Sequence, residues 1–452
     1  MSEAAVVVGG GLAGVAAALR LADSGRQVTL IEARPRLGGA AFSFRRDQLW
    51  VDNGQHVFLR CCDAYQWLLE RIGATDKVLV QGRLDIPVLR ADGTRARLSR
   101  APGVPAPAHL TAALAGYRLL SPADRLRAVR GALALRRLNP ADAELDRQTL
   151  GEFLRRNGQN DATIDSLWGI VATATLNLAP DEASLALAAK VFRTGLLDHA
   201  AAADVGYAVV PLGDIHCVAA ARALARSGVE VLTGHRVESV EPGGVVTCHG
   251  PGGARESRGE TVVLAVPHRE AFAMAPALSA SRAARAAGLG ASPIVNVHII
   301  YDRQVTDLRF AAAVDSPVQW FFDRTDSSGL RAMHPSGQYL AVTVSAAEGV
   351  IDQSSRRLQQ QFIAEVGQLL PRAATANVID AFVTRERRAT FRQAPGSAAL
   401  RPHADSGLAG IWLAGAWTAT GWPDTMEGAV RSGILAAEGA LRTAPANCLS
   451  FA

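Results

Sequence analysis

The chain has 452 residues, 49% of them hydrophobic and 20% charged, and a net charge of +5. Such a composition excludes a disordered chain, and the length is large for one core, so two domains are expected. No apolar run reaches the roughly 18 residues of a membrane-spanning helix. The glycine-rich N-terminus lacks the basic flank of a signal peptide. Five cysteines (Cys61, Cys62, Cys217, Cys248, Cys448) show no metal-binding spacing and fit free thiols in a reducing, cytoplasmic compartment.

Residues 4–9, "AAVVVG", read as a buried strand, and "GGGLAG" follows with Gly9, Gly11 and Gly14 in G-x-G-x-x-G spacing. An alanine-rich helix through Leu12 and Ala13 comes next, with Gly25 as its C′ residue. A second strand, "QVTLIE", then closes on Glu32. In this order the pattern predicts a dinucleotide site. Gly9 permits the tight turn, Gly11 lets the backbone approach a pyrophosphate, and Gly14 lets the helix pack close to the strand. Free N–H groups at the helix start favour the phosphate charge, and Glu32 is placed to hold an adenosine ribose. The continuation Ala33, Arg36, Gly38, Gly39 suits a chain crossing under an extended FAD rather than a nicotinamide cofactor.

Residues 49–58, "LWVDNGQHVF", place Asp52, Asn53, Gly54, Gln55 and His56 inside what otherwise reads as a half-buried strand. Either they form a solvated turn or the strand end passes a bound ligand. Residues 90–140 hold ten arginines and two aspartates, so the rest of the chain is slightly acidic. In this window "APGVPAPAHL" cannot continue a helix. "SPADRLRAVRGALALRRL" reads as a helix capped by Ser121 with Pro122 at N1. Its leucines and arginines suit either a solvated amphipathic surface or an anionic membrane interface. No nucleic acid is expected as partner.

Residues 206–242 read as loop, helix, strand, strand, with Val237 on the last strand. "ETVVLAVP" (260–267), "NVHIIYD" (296–302) and "QYLAVTVS" (338–345) read as strands. In "IWLAGAWTATGWPDTMEGAVRSG" (411–433) a strand leads through a tryptophan loop to a helix at about 425–441. Asp424 and Glu427 are set as a capping box there.

These stretches together resemble the amine-oxidase and phytoene-desaturase superfamily of flavoproteins. Within it, "VDNGQHVFLRCC" and "TATGWPDTMEGAVRSG" are most similar to the hydroxysqualene dehydroxylase family, also called squalene-associated FAD-dependent desaturases. The resemblance implies an α/β fold: a Rossmann-like FAD-binding domain from 1–90, 205–275 and 405–445, and an inserted mixed-sheet and helical substrate domain from 91–204 and 276–404. It implies FAD contacts at Gly54, Gln55, His56, Val237, Gly415, Ala416, Trp422, Thr425 and Met426, with Trp417, Thr418 and Trp422 lining the substrate pocket. His56 and Asp52 become the candidates for proton transfer, although the same side chains can equally fix the turn and bind FAD. Ala40 and Ala416 stand where the superfamily often has a basic residue and an aspartate.

The implied reaction is reductive removal of the allylic hydroxyl of hydroxysqualene to give squalene, in hopanoid biosynthesis, at a peripheral site on the inner membrane face. A single dinucleotide motif implies an external electron donor. A carotenoid-type polyprenyl desaturase, an amine oxidase and a non-catalytic flavin-binding scaffold are the alternatives.

Overall fold

The computed structural model describes residues 4–443, so Cys448 and the last two positions of the expected 405–445 segment lie outside it. Five short strands form one parallel sheet in the order Glu230–Thr233, Gln27–Glu32, Ala4–Val8, Thr261–Leu264, Ile411–Leu413. Parallel strands are covered on both faces, which explains why Val6, Val7, Val8, Leu30, Ile31, Val262, Val263 and Leu264 are all buried without alternation. The helices Leu12–Asp23 and Met426–Thr443 cover one face together. They approach closely because small residues meet: a Cβ on Gly433 would lie 2.0 Å from the Ala13 carbonyl oxygen. Both ends of the described chain therefore belong to one sheet and one helical layer.

A second, seven-stranded sheet runs Val378–Thr390, Ser292–Tyr301, Gln338–Ser345, Trp320–Asp323, Phe310–Val314, Asp85–Arg90, Arg95–Ser99. It contains the strands predicted near 296–302 and 338–345. The strand Asp85–Arg90, which the sequence division assigns to the nucleotide-binding unit, instead pairs in parallel with Phe310–Val314. Its buried Val88 and Leu89 are satisfied by that sheet. A helical layer with Leu135, Leu150, Leu154, Trp168 and Phe192 in its core lies beside it. Ser121 caps the helix Pro122–Arg137 by accepting the Asp124 N–H at 3.2 Å, as the sequence predicts.

Candidate flavin site

The glycine loop has the geometry its spacing predicts. Gly9 has φ +105°, and a Cβ on it would lie 2.4 Å from the Ala265 carbonyl oxygen. A Cβ on Gly14 would lie 1.8 Å from the Gly9 carbonyl oxygen. At Gly11 the opposite holds: a Cβ would touch only the Gly39 Cα, at 3.6 Å. The space before the helix is open there, and no side chain caps the helix start at Leu12, Ala13 and Gly14. Uncapped N–H groups facing open space suit a pyrophosphate.

Glu32 is buried at the end of its strand. Its carboxylate accepts the Gly10 N–H at 2.6 Å and the Arg34 N–H at 2.8 Å, which fixes its orientation beside exposed Ala33. Gly38 and Gly39 have φ +93° and +54°, and the Gly38 N–H donates to the Gly10 carbonyl at 2.9 Å. This turn therefore lies directly against the phosphate loop. The Arg36 guanidinium lies 3.4 Å from the Phe42 ring centroid, and burial lowers its pKa. Val237 is buried on its strand just after His235, whose N–H donates to the Glu32 carbonyl. Gly9, Gly11, Gly14, Glu32, Gly38, Gly39 and Val237 thus form one neighbourhood, whose donor set and open loop fit the adenosine and pyrophosphate of FAD.

The C-terminal loop departs from expectation in three places. Trp417 is buried and donates Nε1–H to the Val266 carbonyl at 2.9 Å. Buried Thr418 bonds the Gly415 carbonyl, and its own carbonyl accepts from Arg401. Both side chains are part of the packed interior rather than of a substrate cavity, because their polar atoms are satisfied there. Asp424 does not cap the following helix. It accepts the Phe391 N–H at 2.7 Å, and burial raises its pKa to about 6. Thr425 is the cap, accepting the Gly428 N–H at 3.2 Å just before Met426. Glu427, the supposed capping-box partner, is 1% exposed and accepts the N–H groups of Ala64 and Tyr65, at the start of the helix Asp63–Ile72. Gly415, with φ +132°, donates to Ser432 Oγ at 2.7 Å. The carbonyl of Ala416 is held by Arg401 at 2.9 Å, and that of Ala40 by the Asn53 amide at 2.9 Å.

The stretch Asp52–His56 bridges the turn carrying Ala40 and the seven-stranded sheet, which explains its polarity. Asp52 accepts from Ser43 Oγ at 2.5 Å, from the Leu212 N–H at 3.0 Å and from Arg324 Nη2 at 2.5 Å. Both Asp52 oxygens are thus engaged, one of them in a buried ion pair with Arg324. Asn53 bonds Ala40 on one side and Glu386 and Asn296 of the large sheet on the other. His56 is partly buried. Its Nδ1–H donates to the Gly54 carbonyl at 3.1 Å, and burial lowers its pKa, so at neutral pH its Nε2 carries a lone pair.

His56 and Gln55 line a cavity with Leu212, Tyr207, Phe310 and Phe322. Cross-strand pairing sets Val57, Tyr207 and Leu79 in one row at its rim, where Val57, Leu79 and Val209 are 41%, 45% and 42% exposed. The motif residues in this cavity were legible in the sequence; Arg324, 272 residues from its partner Asp52, was not. Lys190 was also missed, although composition offered a cue: the chain has 45 arginines and only two lysines. Its Nζ lies 4.6 Å from the ring centroid of half-buried Trp422, whose ring the Arg431 guanidinium also approaches, at 4.9 Å.

Among the described residues no cluster of His, Cys, Asp and Glu suits a metal ion. A family model described as flavin containing amine oxidoreductase matches residues 12–441. The chain is 28% identical to the hydroxysqualene dehydroxylase of Rhodopseudomonas palustris over 97% of its own length and 98% of that protein. It is 27% identical to the hydroxysqualene dehydroxylase of Sinorhizobium fredii, covering 96% and 97%. It is 24% identical to the 15-cis-phytoene desaturase of Narcissus pseudonarcissus, covering 96% and 78%. An oxidoreductase from Methanosarcina mazei shares the fold with a TM-score of 0.73 at 14% identity, covering 97% of this chain and 100% of that one. Cyclohexylamine oxidase from Brevibacterium oxydans does so with a TM-score of 0.66 at 19% identity, covering 98% and 99%. The chain belongs to the flavin containing amine oxidoreductase family and is an FAD-dependent oxidoreductase.

Proposed function

We propose that the protein removes the hydroxyl of hydroxysqualene reductively to give squalene. The observation that carries this reading is the cavity at the end of the 52–56 stretch. It has the His56 imidazole and the Gln55 amide, aromatic and aliphatic walls at Tyr207, Leu212, Phe310 and Phe322, a charged side at Asp52, Arg309, Asp323, Arg324 and Asp326, and an exposed apolar rim. The apolar walls and rim suit a long hydrocarbon, and the polar side suits a hydroxyl on it. The two hydroxysqualene dehydroxylases that align over nearly their whole length support it.

Bound reduced FAD supplies the hydride equivalent, and the protein supplies orientation and proton control. The loop Gly9–Gly14, Glu32 and the turn Gly38–Gly39 hold the adenosine and pyrophosphate. Gly54, Gln55, Gly415, Ala416, Trp422, Thr425 and Met426 hold the flavin end. The start of the helix Met426–Thr443 favours negative charge there. His56 meets the substrate oxygen: neutral, its Nε2 accepts the hydroxyl hydrogen bond and orients the carbon; protonated, it assists loss of the oxygen as water. Arg324, held by Asp52, lines the same cavity. Electrons reach the flavin from a separate donor, and the protein works peripherally at the cytoplasmic membrane face.

A desaturase acting on a carotenoid-type polyprenyl is the second reading, supported by the phytoene desaturases aligned over 96% of the chain. Anaerobic incubation of the reduced holoprotein with hydroxysqualene, and of the oxidised holoprotein with phytoene or a primary amine, followed by product analysis, separates them. Squalene from hydroxysqualene alone is the expected result. Desaturated phytoene from the oxidised protein, with no squalene from the reduced one, overturns it.

A further inference from the structure

The arginine-rich window is only partly neutralised by the fold. Arg90, Arg97, Arg100, Arg127 and Arg136 pair with aspartates. Arg125 donates to the carbonyls of Ala115, Tyr117 and Leu120. Arg95, Arg118, Arg130 and Arg137 are exposed, and their side chains have no ion pair or hydrogen bond among the described residues. Four positive charges are thus left uncompensated, two at one groove and two on the helix Pro122–Arg137.

They accompany an apolar face that no described residue covers. The helix Pro122–Arg137 buries Asp124, Ala128, Gly131 and Leu135 against the helical layer. A second apolar stripe looks outward: Leu126 is 74% exposed, Val129 38% and Leu133 42%. At 3.6 residues per turn, this stripe shares a sector of roughly 100° with Arg130 and Arg137. Arg95 and Arg118 flank an open groove lined by Pro87, Leu89, Ala112 and Leu308. Tyr117, Leu119 and Leu120, which lead into the helix, pack in the same apolar cluster as Tyr207, Phe310 and Phe322 of the proposed substrate cavity.

We propose that Leu126, Val129 and Leu133, with Arg95, Arg118, Arg130 and Arg137, form a docking face for an anionic lipid bilayer. Charge complementarity selects this partner. The apolar side chains enter the acyl boundary while the guanidiniums stay among the headgroup phosphates. No helix among the described residues is long and apolar enough to cross a membrane, so the contact is monotopic. The inference deepens the polyprenyl reading by naming the surface that meets the lipid in which such a substrate dissolves, but its test contains no substrate.

The full-length holoprotein is floated with vesicles of phosphatidylglycerol and phosphatidylcholine, with vesicles of phosphatidylcholine alone, and with the mixed vesicles plus excess inorganic phosphate. Flotation with the mixed vesicles alone is expected, weakening as salt rises and insensitive to free phosphate at matched ionic strength. Arg130→Gln and Arg137→Gln each weaken binding about fivefold. Leu126→Ser with Leu133→Ser abolishes it, while Leu435→Ser, 41% exposed on another helix, leaves it unchanged. Because these side chains are exposed, the variants keep the fold, which flavin absorbance verifies. Failure of the native protein to float, or unchanged flotation of the leucine variant, overturns the proposal. So does loss of a dimer in the leucine variant without vesicle binding by the native chain, which would assign the face to a second copy. Absence of squalene formation with intact flotation refutes the substrate reading and leaves the docking face standing.

Discussion

Asp52 and His56 lie four residues apart, and the fold treats them differently. Burial lowers the pKa of His56, so its protonated form accumulates only below the ordinary histidine range. Acting as the acid, it makes flavin reoxidation by hydroxysqualene accelerate as pH falls through that lower range. His56→Ala removes this limb and slows the reaction at least tenfold, about 1.4 kcal/mol of barrier, in stopped-flow mixing across pH. Asp52→Asn strips a carboxylate from Arg324, whose side chain is 13% exposed. Breaking a buried pair in this way costs about 3–5 kcal/mol, so thermal unfolding of the holoprotein shifts well downward. Glu32→Ala loses the fixed acceptor beside Gly10, and flavin separates from the protein on gel filtration. The placement of Glu32 beside the glycine loop and of His56 in the cavity was legible because each sits in a local sequence pattern. The engagement of Asp52 was not, because its partners Leu212 and Arg324 come from distant parts of the chain.

Elements repeat this division between local and distant information. The helix at 425–441 was legible from its apolar and small-residue pattern, and it begins at Met426. Its cap was misassigned because the D-x-x-E spacing describes a local option that tertiary contacts outcompete. The carboxylate of Asp424 satisfies Phe391, and that of Glu427 satisfies Ala64 and Tyr65. The packing of this helix on Leu12–Asp23 is tight enough to test. Gly433→Ala places a methyl group 2.0 Å from the Ala13 carbonyl oxygen, an overlap relieved only by moving a helix. Overpacking of this kind costs about 1–3 kcal/mol. Lower thermal stability and weaker flavin retention are expected together, since Ala13 lies in the first turn of the helix proposed to face the pyrophosphate. Normal flavin content at unchanged melting temperature contradicts that coupling.

Across the whole molecule, the stretch 52–56 ties the turn that packs on the glycine loop to the seven-stranded sheet that helps wall the cavity. Asn53 makes the tie, bonding Ala40 on one side and Glu386 on the other. The sequence announced the glycine loop, the strands near 296–302 and 338–345 and the flavin-binding α/β class, because each is a short-range signal. The order of the seven strands and the enlistment of Asp85–Arg90 among them were not legible, since strand pairing depends on complementary faces far apart in the chain. The central claim is that this junction brings a polyprenyl alcohol to reduced FAD. Its most direct test mixes the anaerobically reduced holoprotein with hydroxysqualene and follows the flavin absorbance while squalene is quantified. The account predicts flavin reoxidation with one squalene formed per flavin oxidised; a flavin that stays reduced, with hydroxysqualene recovered unchanged, contradicts it.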